Sequence, residues 1–302
     1  MLSVVNNLQS DYRVYEAIYK GVTLFGLDSC GGMELGWCLP AMLMSHYGVP
    51  YADLAFIFSF IIYGLTLYFL VRCAQISEVN VFYVGWALMI FGFVFLRPEM
   101  ASHLTRQYIA AAFLLLVVLE LQSRGRMVWV WFVFAVMFHI SALSMLPVIA
   151  YIRNFGFELK KLLGLVFLLT GLLFLTRLEL FHDFVEWGLA IDIQPRILYN
   201  ILFKIKYMIQ TDDALPLWRF AVLCFGFCIS ILFMKNTKVK VFFYCYAYVL
   251  WLMAVIYIFF PYYFVRLFHY EKIIFFGIAV VIAFELLSKR SNRVEYEWGL
   301  QK

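Results

Sequence analysis

The chain has 302 residues, of which 65% are hydrophobic, 20% aromatic and 14% charged, with a net charge of +5. Mean hydropathy is +0.87, whereas a soluble domain has roughly half apolar and about a quarter charged residues, so a soluble enzyme or binding module is excluded. The basic residues are scattered among short loops and form no patch, which reads as membrane topology and not as nucleic-acid binding.

In chain order, Asn6, Asn7, Gln9 and Asp11 interrupt any basic-then-apolar pattern, so no signal peptide is expected, and residues 1–50 read as an outer-face segment. Within it, Cys30 and Cys38 pair only if they face an oxidising compartment, and free thiols are the expectation. Apolar stretches near the ~20 residues that cross a bilayer follow at Tyr51–Val71, Val79–Leu96, Gln107–Leu121, Met127–Ile152, Leu162–Thr176, Leu217–Met234, Val241–Phe260 and Lys272–Leu287. No soluble domain remains between them. Cys224 and Cys228, one helical turn apart in an apolar run, lack the further ligands that zinc requires, and no metal or cofactor is expected.

Positive charges orient the chain. Lys235, Lys238 and Lys240 in one loop, and Lys289, Arg290 and Arg293 in the tail, place both on the cytoplasmic side. The same rule places Arg124 and Arg126, and also Arg153, Lys160 and Lys161, on that side, yet these two sets bracket the single stretch Met127–Ile152. That stretch is ~38 Å as one helix, against a core of ~30 Å. Two half-helices that enter and leave on the cytoplasmic side, with His139 near their turn, resolve the conflict. A tilted single crossing is the alternative. The expectation is an all-α fold, a polytopic integral-membrane helical bundle forming one domain over 1–302, with about seven full spans plus a re-entrant helical hairpin. The long connection Arg177–Pro216 mixes aromatic and charged residues as interfacial helices do, and falls on the outer face.

Candidate functional residues are those that lipid makes costly. Arg97, Glu99, His103 and Arg106 cluster at an outer mouth. Arg106 precedes Gln107 and a run of small alanines, and its guanidinium offers a planar fork suited to phosphate oxygens. The plain alternative is a snorkelling interfacial arginine. His139, within an apolar stretch, can serve as a base or as a donor to an oxyanion, or can simply be a core histidine bonded to a carbonyl. Arg266 lies in Tyr262-Tyr263-Phe264-Val265-Arg266-Leu267-Phe268-His269-Tyr270, where cation and aromatic faces suit sugars and a diphosphate but also describe an aromatic belt. Two carboxylates, Asp11 and Glu34, fall in the outer segment, where spacing alone does not single them out. No Gly-rich phosphate loop or Ser-His-Asp order is present.

The ordered set Asp11-x-x-x-Tyr15, Glu34-x-Gly36-Trp37, Arg106-Gln107-Tyr108-Ile109-Ala110, Phe138-His139-Ile140-Ser141 and Arg266 close to Tyr270 resembles the EpsG-type branch of Wzy-like O-antigen and exopolysaccharide polymerases. The family begins with a membrane span ahead of its Asp-x-x-x-Tyr motif, where this chain has mostly polar residues. The resemblance implies a GT-C-like helical fold in the bacterial inner membrane, with glycosyl transfer at the periplasmic face. Its implied partners are undecaprenyl-diphosphate-linked glycan donor and acceptor, membrane lipid and a chain-length regulator. It also implies catalytic roles for His139, Asp11 and Glu34, and substrate binding by Tyr15, Arg97, Arg106, Gln107, Arg266, His269 and Tyr270. A flippase for lipid-linked oligosaccharide would use the same arginines without chemistry, and an O-antigen ligase would differ only in its acceptor. The lack of internal repeat symmetry disfavours a transporter.

Overall fold

The computed structural model describes residues 2–26, 30, 34–90, 105–123, 125–155, 240–259, 276–277 and 279–288, with single helical positions at 164, 183, 186–187, 225, 228 and 232. All regular structure among the described residues is helical, as expected of a backbone that must satisfy its own hydrogen bonds in lipid. Most of the expected spans at Leu162–Thr176 and Leu217–Met234, and most of the connection between them, lie outside the described residues. So do Arg97, Glu99, His103, Arg266, His269 and Tyr270.

The helices are α1 (Leu2–Phe25), α2 (Leu35–His46), α3 (Tyr51–Ser77), α4 (Phe82–Ile90), α5 (Thr105–Ser123), α6 (Val128–Phe138), a 3-10 helix (Ile140–Met145), α7 (Leu146–Phe155) and α8 (Lys240–Phe259). A further apolar helix covers Ala279–Ser288. Two described helices are long and apolar enough to cross a membrane: α3, and α5 from Arg106. Packing divides the chain into two compact units. One comprises Met1–Leu146, Asn236–Phe242 and Tyr270–Lys302; the other comprises Pro147–Lys235 and Phe243–His269.

In the first unit α5 is central. Every described side chain from Tyr108 to Leu119 is buried, and α5 packs against α3 and α6. The alanines Ala110, Ala111 and Ala112 allow close helix approach, the main source of packing where lipid removes the hydrophobic drive. Phe113 stacks on Trp131, Phe134 and Phe138 of α6, with ring centroids at 5.9, 5.4 and 5.9 Å. Near the end of α5, Gln122 Oε1 accepts the Val241 N–H at 3.0 Å, tying in the start of α8.

The segment ahead of α3 is helical in α1 and α2 and partly buried. Tyr15, Tyr19 and Val22 form the inward stripe of α1 at helical spacing. The Tyr19 hydroxyl donates to Val49 O at 2.5 Å, just before Pro50 opens α3. Gly48, at φ +69°, makes the turn between α2 and α3 in a region that suits glycine. Cys30 and Cys38 are joined by a disulfide, which corrects the expectation of free thiols. Their Cα atoms are 6.2 Å apart, within bridging reach. Spacing could not decide this, because pairing depends on how the loop between them folds.

The second unit holds nearly all of α7 and most of α8. Pro147 sits in the first turn of α7, where its missing N–H costs nothing. Tyr248 and Trp251 of α8 pack with ring centroids 5.6 Å apart.

Candidate active site

The helix that runs into Phe138 breaks at His139. His139 is extended (φ −155°, ψ 121°), its N–H closing the last turn of α6 on Ala135 O at 2.9 Å. Its imidazole then acts as a cap: Nδ1 accepts the Ser141 N–H at 3.2 Å and starts the 3-10 helix. A side chain that offers the backbone a local partner competes with helix continuation, which explains a break inside so apolar a stretch. The Ser141 hydroxyl lies 2.6 Å from the same nitrogen. The other ring nitrogen, Nε2, lies 3.4 Å from the Gln107 amide nitrogen.

Gln107 and Arg106 occupy the first turn of α5. A cation there opposes the helix dipole and needs compensation, which Glu34 supplies. Arg106 Nη1 donates to Glu34 Oε2 in an ion pair whose side chains are only 18% and 11% exposed. Arg106 Nε and Nη2 both donate to the Tyr15 hydroxyl, at 3.1 and 3.0 Å. The guanidinium carbon also stands 5.2 Å from the Tyr15 ring centroid, a cation–π distance. Tyr15 is backed by Trp37, with ring centroids 5.7 Å apart.

Glu34 precedes α2. Its carbonyl takes the Trp37 and Cys38 N–H groups at 3.0 and 3.1 Å, while its side chain makes no cap and turns to Arg106. The second carboxylate oxygen, Oε1, accepts the Ile140 N–H at 3.4 Å. Gly36 makes this approach possible, because a Cβ there would lie 2.8 Å from Met137 O and 3.0 Å from Phe138 Cδ2. α2 and α6 therefore meet backbone to backbone beside the site. The Cys30–Cys38 bond closes the loop that carries Glu34.

The structure thus brings together Tyr15, Glu34, Arg106, Gln107 and His139. Asp11 lies one turn before Tyr15 on α1, with its side chain outside the described part. Sequence reasoning gave no role to Ser141, to the Ile140 amide or to the disulfide. Ser141 left a signal, a hydroxyl two positions after a histidine within an apolar run, and so did the disulfide, as two cysteines eight positions apart. Among the described residues no acidic, cysteine and histidine cluster could hold a metal. The arrangement is a half-buried guanidinium with donors still available, a carboxylate beside it and an imidazole clamped at both nitrogens. Such a site can bind an anion and manage one proton.

A sequence profile described as the EpsG family matches residues 2–294. No curated protein and no solved structure matches the chain.

Proposed function

Taking as premise that the chain belongs to the EpsG family, we propose that it polymerises polyprenyl-diphosphate-linked oligosaccharide repeat units into O-antigen or exopolysaccharide at the periplasmic face of the bacterial inner membrane. Family membership and apolar helices support a polysaccharide-biosynthesis role in a membrane. The observation that carries the finer reading is the Arg106–Glu34–Tyr15 cluster, a cation held where an anion can reach it and a carboxylate held beside it.

In the proposed reaction the acceptor sugar's hydroxyl oxygen attacks the anomeric carbon of the donor glycan. The bond from that carbon to the diphosphate oxygen breaks, its electron pair leaves on the diphosphate, and the hydroxyl proton passes to a base of the site. Arg106, through the N–H groups that Tyr15 and Glu34 do not use, meets the charge that develops on the leaving group, and this electrostatic contribution is the larger one. Arg97, Arg266, His269 and Tyr270 are proposed to complete the diphosphate and sugar binding. About seven full spans and the hairpin at His139 would bring both lipid-linked substrates laterally to the site.

The test is purified protein in vesicles supplied with a single lipid-linked repeat unit. Chain growth with release of polyprenyl diphosphate is expected. Movement of the unit between leaflets without growth would make the protein a flippase, and transfer only onto a lipid A acceptor would make it a ligase.

A further inference from the structure

Tyr15 spends its hydroxyl oxygen on Arg106 and keeps its hydroxyl proton. Arg106 Nε and Nη2 both donate to that oxygen, at 3.1 and 3.0 Å. A guanidinium has donors only, so it cannot take the phenol's own proton, which must point away from it. The other contacts of Tyr15 are made by its ring, with Trp37 and with the face of the guanidinium. Among the described residues no acceptor meets the hydroxyl proton, although Tyr15 is only 9% exposed. A buried donor left without an acceptor is costly.

Arg106 shows the same excess of donors. Of the five N–H groups on a guanidinium, three are used, two at Tyr15 and one at Glu34, which leaves two. One of these is on Nη2, 3.0 Å from the phenol oxygen. Unspent donors therefore stand on two touching side chains, and Glu34, the carboxylate beside them, is engaged by Arg106 Nη1 and the Ile140 amide. Such a set asks for a ligand with several anionic oxygens.

We infer that Tyr15 is a further catalytic residue, whose O–H donates to the diphosphate as its bond to the anomeric carbon breaks. The inference rests on the glycosyl transfer proposed above and gives Tyr15 a task beyond holding Arg106. The acceptor oxygen bonds to the anomeric carbon, the electron pair of the broken bond stays on the diphosphate, and the acceptor's proton passes to a base of the site. The phenol keeps its own proton throughout. Trp37 and the guanidinium hold the ring in place, so the donor needs no reorientation where negative charge gathers. The two N–H groups at its oxygen polarise the O–H and strengthen it as a donor.

Tyr15→Phe removes donor and acceptor together, so fluorotyrosines placed at position 15 separate the two roles. Added fluorines make the phenol a stronger donor and a weaker acceptor at nearly constant size, and lower the pH at which it ionises. Full-length protein in lipid nanodiscs is given one lipid-linked repeat unit, and chain growth per folded molecule is followed against pH. While the phenol is protonated, growth should hold or rise along the series. Once it ionises, growth should fall, because a phenolate cannot donate. The alkaline limb should thus move to lower pH with each added fluorine, and Tyr15→Phe should lack it. The charged groups against the phenol are Arg106 of α5 and, through it, Glu34 ahead of α2, and fluorination alters neither. A residue that only supports Arg106 gives the opposite pattern: growth falls as the acceptor weakens and recovers in the phenolate. That pattern, or an alkaline limb that stays in place, overturns the inference.

Binding of the leaving group itself needs no turnover. Undecaprenyl diphosphate added to the same nanodiscs should bind with an alkaline limit that shifts with fluorination in the same way. If it does so while the native protein grows no chain on any lipid-linked unit, the polymerase reading fails and the phenol remains a donor to the diphosphate. If chains grow and neither limit moves, the polymerase reading stands and Tyr15 is only a support.

Discussion

Arg106 makes its contacts with the geometry of a guanidinium as well as its charge. Two of its nitrogens meet at one phenol oxygen while a third reaches a carboxylate, and an ammonium group, a single nitrogen, cannot reproduce that planar fork. Arg106→Lys therefore keeps the charge but loses one or two charge-assisted hydrogen bonds of about 1.5–3 kcal/mol each. Chain growth per folded molecule should fall by at least about 10-fold. Tyr15→Phe removes the shared oxygen and spares the ring over which the cation sits, so its loss should be the smaller of the two. Normal chain length and rate in the lysine variant would make the arginine a point charge only. Arg106 and His139 were legible as costs to lipid, because a cation and an imidazole near long apolar runs need a reason, whereas Glu34 was not singled out by its spacing and entered only through the resemblance. Their pairing was not legible. Arg106 and Tyr15 stand 91 residues apart and Arg106 and Glu34 stand 72 apart, and no local pattern encodes such contacts.

Among the elements, α3 and α5 follow from uninterrupted apolar runs, and the break at His139 falls within the stretch where the flanking charges conflicted with a single crossing. α1 and α2 were not visible as elements. Polar residues hide α1, which is stabilised by packing its Tyr15, Tyr19 and Val22 stripe and not by overall hydropathy, while Pro40 interrupts the short apolar run of α2. The contact between α2 and α6 beside the site is close, and Gly36→Ala tests it. A Cβ at 2.8 Å from Met137 O must push the backbones apart, at an overpacking cost of about 1–3 kcal/mol, and moves Glu34 two positions away. Reduced stability in thermal melts together with a larger fractional loss of chain growth is the expected result; an unchanged melt and normal growth would show that α2 shifts freely. The path of α6 through a membrane is a separate test. Single cysteines beside Arg124 and beside Lys160, in a background keeping only the Cys30–Cys38 pair, should both be shielded from impermeant thiol reagents added outside. Labelling at one of them alone restores a simple crossing.

For the molecule as a whole, four motif segments separated by long stretches of chain converge on one ion pair, and the loop that delivers Glu34 is closed by Cys30–Cys38. That bond forms only where thiols are oxidised. In membranes from aerated cells, two of the six cysteines should resist alkylation in denaturant until reduced. Cys30→Ser, Cys38→Ser and the double variant should lose chain growth to the same degree, because each removes the same single bond. Unequal losses, or six reactive thiols without reduction, would count against this. If the site faces the periplasm as proposed, the bond would serve as a proof of address. A newly made chain whose first segment still faced a reducing cytoplasm would hold Glu34 on a slack loop, idle toward lipid-linked sugars in the wrong leaflet. Competence would then arrive with translocation, without any separate inhibitor.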